Sequence, residues 1–466
     1  MATRLFKRHK VSEGKGTSKA TKRGLNRALT KFGGVLTILA SLLLLLRGEA
    51  QALPTVIATI SFGSSRTGVI SANPATNKVY AAREDDPSIA VINGNTNTVI
   101  TTIPTFGFHT GIAANPVTNR IYVSQQFAGA VRVIDGSTDT VITDFGVPGL
   151  VHTIGDVDVN PATNRIYVIR ANNNDISVHD GVTHAQLATV NCLGTCHSGN
   201  LAVNPTTNRI YVTNPPSDTV TVVNGVTNMV ITTISVGDHP VGVDVNPVTN
   251  LIYVANVVSS NLSVIDGVTN TVVDTIPVGT NPLGVGVNPE TNRIYVANFG
   301  SDNVSIINGA TNTIVATVPV VQAPGNVAVI PSTSRVYVAK GDHTVSVIED
   351  KVYNFTGFFQ PVDNLPTLNT VKAGSAVPVK FSLDGDQGLN IFEADYPKSQ
   401  QTACDLATVD GIEQTVTAGS SDLSYDANTD TYTYVWKTEK TWAGTCRQLV
   451  VMLNDGTSHR ANFKLK

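Results

Sequence analysis

Charged side chains make up only 14% of this 466-residue chain, and aromatic ones only 6%. The first shortage comes with abundant Gly, Asn, Thr and Val, a mix that favours strands and tight turns over helices. The second leaves few aromatic anchors for binding. Beyond residue 52 no run is apolar enough to cross a membrane. No Gly-x-Ser-x-Gly, phosphate loop, dinucleotide fingerprint or His-Glu-x-x-His is present, which disfavours an enzyme. Basic residues are also scarce in that part, with 21 against 33 acidic, a net of -12. Such a surface repels phosphate backbones and excludes nucleic acid as a partner. It suits a soluble extracellular protein, or one that meets cations.

What is present begins with a basic leader, Arg4 to Lys31, holding most of the 11 basic residues found in residues 1–52. An apolar run from Val35 to Leu46 follows, then Ala50-Gln51-Ala52, a small-x-small cleavage pattern. Residues 1–52 read as a secretory signal peptide with a long leader, the alternative being a retained anchor. Four cysteines lie downstream. An even count in an exported chain predicts two local disulfides, Cys192 with Cys196 and Cys404 with Cys446.

The body of the chain is a repeat. Asn-Pro-x-Thr-Asn-(Arg/Lys/Leu)-(Ile/Val)-Tyr starts at Asn73, Asn115, Asn160, Asn204, Asn246 and Asn288, with a degenerate seventh copy at Pro331–Tyr337. The prolines recur every 42 to 45 residues, a period that suits a propeller blade or a helical array. Each unit holds four short strands separated by Asn-Pro and Asn-Gly or Asp-Gly turns, which selects a four-stranded antiparallel blade. The seventh unit lacks the Asx-Gly turn and supplies only three strands. Thr55–Ser61 matches the outer strand of the other units and has no preceding strands of its own. Pairing it with Thr344–Ile348 would close the ring and remove a free edge.

Tyr211-Val-Thr-Asn214, with Tyr253-Val-Ala-Asn256 and Tyr295-Val-Ala-Asn298, resembles the YVTN-type β-propeller repeats over roughly residues 55–350. The resemblance implies a surface-layer or cell-surface protein of bacteria or archaea. The same propeller class resembles lactonases, quinoprotein dehydrogenases and the copper domain of nitrous oxide reductase, so fold does not give function. After Tyr353 the repeat stops. Strands at Val377–Leu383, Gln414–Thr417, Thr431–Trp436, Gln448–Leu453 and Arg460–Phe463 predict a small β-sandwich. Pro378-Val-Lys-Phe381 resembles the PxKF domain family, which implies an accessory module of secreted bacterial proteins. Trp436 and the Cys404/Cys446 pair sit as that family would have them.

Two constellations can carry chemistry. His109, His152, His197 and His239 each precede the first strand of a unit, in four consecutive units. Converging at the ring's rim, they would bind copper or zinc; left apart, they are solvated loop residues. Asp156, Asp158 and Asp244 lie on innermost strands. Alternation turns Asp158 and Asp244 toward the channel, to hold calcium, act as bases or keep the channel hydrated. Cys192-Leu-Gly-Thr-Cys196-His197 has one residue too many for covalent haem attachment. Asp426-Ala-Asn-Thr-Asp430 has calcium-loop spacing without the required Gly and Glu, and reads as a hairpin turn.

The expectation is therefore an all-β chain: signal peptide 1–52, a seven-bladed β-propeller over 53–352 closed by its N-terminal strand, and a β-sandwich-like domain over 353–466. The function expected is a secreted or cell-surface, non-catalytic binding scaffold, a monomer without a membrane span. Its partner would be a cell-envelope polymer or protein. The alternative is a lactonase or a quinoprotein or metal-dependent oxidoreductase using rim His and channel Asp residues. The two differ in whether the histidines and carboxylates share one pocket.

Overall fold

The computed structural model describes residues 54–466, apart from 64–66, 127, 149–153, 193–198, 394, 405–408, 412–422, 454 and 456. The predicted leader, His152, Cys196, His197 and the strand expected at Gln414–Thr417 lie outside the described residues. The architecture is all-β and propeller-like, built from repeated four-stranded antiparallel sheets. We number these sheets by their innermost strands: Thr67–Asn73, His109–Asn115, Ile154–Asn160, Leu201–Asn204, Pro240–Asn246, Pro282–Asn288 and Pro324–Ile330. Each innermost strand packs beside the next, and the first packs beside the seventh, so the sheets form a ring.

Strand order follows chain order in the first six sheets. The seventh takes its outer strand from the start of the chain. Thr55–Ser61 pairs antiparallel with Thr344–Glu349, Thr55 opposite Glu349 and Ser61 opposite Thr344. Ile60 and Phe62 bury against Val345 and Tyr337 of that sheet and Ile70 of the first. The remaining residues of the strand are exposed or half-buried.

The repeat motif does more than turn the chain. In Asn160-Pro-Ala-Thr-Asn164, the Asn160 Oδ1 accepts the N–H of Ala162 at 2.9 Å and of Thr163 at 3.3 Å, an Asx turn. Asn164 sits at φ 51°, the left-handed region that Asn tolerates. The Nδ2 of Asn160 then donates to Asn208 Oδ1 of the next unit at 2.8 Å. The same latch joins Asn73 to Asn119, Asn115 to Asn164, Asn204 to Asn250 and Asn246 to Asn292. The glycine that recurs in each Asx-Gly turn makes room for it. A Cβ on Gly225 would stand 2.2 Å from Asn208 Oδ1.

Two links of this belt are missing, both at the seventh sheet. Ile330 replaces the first Asn of the motif and Ser334 the last. The buried Nδ2 of Asn288 and the buried Oδ1 of Asn77 consequently have no hydrogen-bond partner. Tyrosine contacts of the kind that Tyr80 makes to Asp139 at an intact boundary still cross both gaps. Tyr295 donates its hydroxyl to Asp350 Oδ2 at 2.8 Å, and Tyr337 donates to Asn97 Oδ1 at 2.9 Å.

Beyond Tyr353, one sheet holds Phe358–Phe359, Ala376–Phe381, Thr431–Lys437 and Leu423–Asp426. The other holds Lys398–Thr402, Cys446–Met452, Ser458–Leu465, Leu368–Val371 and Val409–Gly411. Both contribute to one apolar core including Val379, Phe381, Trp436, Leu449 and Phe463. Cys404 and Cys446 are disulfide-bonded, which ties the segment after Lys398–Thr402 to the neighbouring strand. Cys192 is also disulfide-bonded, although its expected partner lies outside the described residues. The Asp426–Asp430 segment is the hairpin turn expected, with Asp426 opposite Thr431.

Candidate functional site

The innermost strands leave a narrow central cavity of about 200 Å³. Strand alternation sends every second residue into it. One layer contains Val69, Asp156, Asn200 and Asn326, and the next contains Ala113, Asp158 and Asp244. Strands crowd closely at this radius, which explains the glycines among them. A Cβ on Gly242 would stand 2.0 Å from the Leu283 carbonyl oxygen of the next sheet.

All three aspartates predicted from the sequence line this cavity. Each binds in the same way. Asp158 Oδ1 accepts the N–H of its own neighbour Val159 at 2.8 Å, and Oδ2 accepts the N–H of Val203, in the fourth sheet, at 2.9 Å. Asp156 does the same with Val157 and Leu201, and Asp244 with Val245 and Val287 of the sixth sheet. The innermost strand of any sheet has a free edge of N–H groups facing its neighbour. These carboxylates satisfy that edge and staple the third sheet to the fourth and the fifth to the sixth.

Burial dominates their acidity. It pushes Asp158 up to about 8, with Asp156 and Asp244 adding repulsion against the pull of the two N–H donors. Asp156 rises to about 7 and Asp244 to about 6, again through burial opposed by backbone hydrogen bonds. The channel thus holds carboxyl groups that exchange protons near neutral pH.

The histidines stand elsewhere. His109 opens the innermost strand of the second sheet and is 4% exposed. Its Nε2 lies 2.7 Å from Thr105 Oγ1, and burial, helped by Arg132, lowers its pKa to about 4. His239 is exposed at φ 57°, in the loop before the fifth sheet, where its backbone N–H donates to Asp218 Oδ1. His109 falls one residue later in its unit than His239, at the position held by Pro240, so the two are not equivalent. Neither lines the cavity. Among the described residues, no group of three or more His, Cys, Asp or Glu is placed to hold a metal ion. No helix among them is long and apolar enough to cross a membrane.

Sequence reasoning missed the stapling role, and it missed His179. That side chain is fully buried, with Nε2 2.7 Å from Ser177 Oγ and Nδ1 3.1 Å from the His184 carbonyl oxygen. Phe145 of the adjacent sheet stacks on His184 at 5.0 Å. Its position between Val178 and Asp180 in the strand Asp175–Asp180 gives no distinctive sequence signal for it.

No family model and no curated protein matches this chain. Solved structures do, 1099 chains in all, so the architecture is widely shared and discriminates little between functions. One is the Kuenenia stuttgartiensis hydrazine synthase, with a TM-score of 0.52 at 16% sequence identity. The match covers 62% of this chain and 98% of that one, and at such identity it speaks for the propeller-like fold alone.

Proposed function

We propose that this chain is a secreted or cell-surface binding scaffold without catalytic function. In this reading residues 1–52 are a signal peptide, residues 53–352 a seven-bladed propeller of YVTN type, and residues 353–466 a PxKF-like β-sandwich. The observation that carries it is the face where the Asn-Pro and Asx-Gly turns meet. Val117, Val182, Val226, Val248 and Val268 stand at turn tips of the second to fifth sheets and are 70 to 77% exposed. Equivalent tips carry Ser137, Ala162 and Thr206 within those sheets, and Ala75, Asn95, Glu290 and Ala310 in the first and sixth. A cluster of exposed valines on rigid turns, confined to one arc, supports contact with a protein or polymer of the cell envelope. The channel supports no competing chemistry of comparable weight, since its carboxylate oxygens all accept backbone N–H groups.

The test is co-sedimentation of the purified protein with a cell-envelope fraction. Val182→Asp, Val226→Asp and Val268→Asp together should reduce binding about tenfold or more, with the melting temperature unchanged. Undiminished binding by that variant overturns the reading. One feature favours the enzyme alternative, namely three carboxyl groups lining one cavity whose acidity burial weakens. Under that alternative, hydrolysis of a lactone, or dye reduction with a quinone, would be detectable and lost in Asp158→Asn.

A further inference from the structure

We propose that the seventh sheet is the seam at which the ring opens, and that the strand Thr55–Ser61 exchanges between copies of this chain. The strand of one copy would then complete the seventh sheet of another.

Three features bear on this sheet: its connectivity and the broken amide belt set it apart, and weak anchoring of the outer strand is shared with the other sheets. The first is connectivity. Every other outer strand is tied to its neighbour by a tight hairpin turn, as Thr98–Pro104 is through the bond from Asn97 N–H to the Asn93 carbonyl oxygen. Such a strand cannot leave without breaking its hairpin. Thr55–Ser61 has no hairpin, because its partner Thr344–Glu349 lies at the far end of the ring in sequence.

The second is anchoring. Within the strand only Ile60 is buried, joined by Phe62 just after it. The pairing also shifts register between Val56 and Ala58, as the other outer strands do against their neighbours, and like them this strand has little buried side-chain area to hold it. Backbone hydrogen bonds therefore supply most of the hold, and these are the same whichever copy donates the strand.

The third is the amide belt. Five of its links are intact, and the two absent ones flank this sheet on both sides, leaving Asn288 Nδ2 and Asn77 Oδ1 without partners. The sheet that must admit a strand is also the one with the amide belt broken on both sides, where Arg335 and Tyr337 to the first sheet and Asp350 to the sixth are what still cross.

A second copy is the occupant these features select. The acceptor edge is complementary in register and in side-chain size to Thr55–Phe62, and each further copy carries that segment. Reciprocal exchange satisfies both edges and closes a two-fold dimer without new contacts. Intramolecular pairing wins at low concentration because the tethered strand has a high effective concentration. Exchange thus becomes visible as the protein is concentrated, at a rate set by local opening of the strand.

The test uses full-length chains with cysteines placed on opposite sides of the seam. All described native cysteines are already bonded. Thr59 lies opposite Ser346, and Thr59→Cys and Ser346→Cys are made on separate chains. These are mixed, incubated at low and high concentration, oxidised mildly and run on a non-reducing gel. A chain with both substitutions reports that the sulfurs can meet. The control mixture carries Ser305→Cys and Thr317→Cys, the corresponding pair in the hairpin-tied outer strand of the sixth sheet. The expected result is a covalent dimer several-fold more abundant for the seam pair than for the control, rising with concentration. A seam pair that gives no more dimer than the control, while the double variant locks internally, overturns the proposal.

Discussion

Replacing Asn160 by Ala and, separately, Asn288 by Ala isolates the energy of one link in the amide belt. Both side chains are fully buried. Both cap their own turn in the same way: Asn288 Oδ1 accepts Glu290 N–H at 3.0 Å and Thr291 N–H at 3.3 Å, much as Asn160 accepts from Ala162 and Thr163. Truncation therefore leaves the same two donors unpaired and the same small void. The difference is the bond from Asn160 Nδ2 to Asn208 Oδ1, which Asn288 lacks. A net hydrogen bond contributes about 0.5–1.5 kcal/mol, and an acceptor left buried without a partner adds to the loss. Asn288→Ala, in contrast, removes an amine that is already unsatisfied. Asn160→Ala should then be more destabilising by about 1–2 kcal/mol. In urea unfolding this appears as a lower midpoint at unchanged slope, and in thermal unfolding as a further drop of about 2 °C. Equal losses, or a larger loss for Asn288→Ala, would refute the belt as a source of stability.

Three further outcomes follow from the same contacts. Asp158 has a folded pKa of about 8 against an ordinary 3.8, so its neutral form is favoured by folding. Its contribution is fully present below about pH 4 and is lost as pH rises through about 8. Melting temperature should fall between pH 5 and 8, and Asp158→Asn should flatten that slope; identical slopes would sink the assignment. Gly225→Ala should destabilise the ring by about 1–3 kcal/mol, because the new Cβ meets Asn208 Oδ1. Adding Asn208→Ser should recover part of the loss, measured as a coupling energy in a double-mutant cycle. Reducing Cys404–Cys446 opens a loop of 42 residues and should cost the C-terminal sheets about 4 kcal/mol. Calorimetry with and without reductant should show that transition moving down while the one belonging to the ring moves less.

Much of the fold was legible because its signals are local. Asn-Pro and Asx-Gly turns, and alternation within each strand, act over five or six residues, and repetition averages out ambiguity. The N-terminal strand could be placed by elimination, since the seventh unit was one strand short. The links between units could not be read in the same way. The bond from Asn73 to Asn119 spans 46 residues, and its two ends belong to one motif that already had a sufficient role in turning the chain. Alternation pointed Asp158 inward, but the Val203 N–H it binds comes within reach only when sheets close into a ring. In the C-terminal sheets, Lys398–Thr402 escaped notice because Lys-Ser-Gln-Gln-Thr offers no apolar alternation. The strand Leu368–Val371 pairs in parallel with Ser458–Leu465, so no hairpin announces it. The histidine set rested on approximate spacing, and one residue of slip put His109 in a buried strand position and His239 in an exposed loop.

The exception in the seventh unit can be derived from the rule kept by the other six. In the first six units the last Asn of the motif faces a turn glycine across the hairpins, as Asn77 faces Gly94 and Asn250 faces Gly267, and a Cβ there would overlap the amide. Asn and Gly are thus sterically coupled. At the seventh unit the chain must leave the ring instead of turning back, and Asp350 stands where that glycine would be. It is buried and holds Tyr295 and, at 4.0 Å, Arg293. With a side chain at 350, an amide at 334 no longer fits, and Ser334 is the smaller residue that does. Its carbonyl oxygen still accepts the Asp350 N–H at 3.0 Å, so the turn-to-turn backbone bond survives while the side-chain latch is lost. The unsatisfied Asn288 amine is the consequence on one side. The exit of the chain and the loss of the Asn288 link are therefore one structural event, and it falls in the sheet that Thr55–Ser61 has to complete.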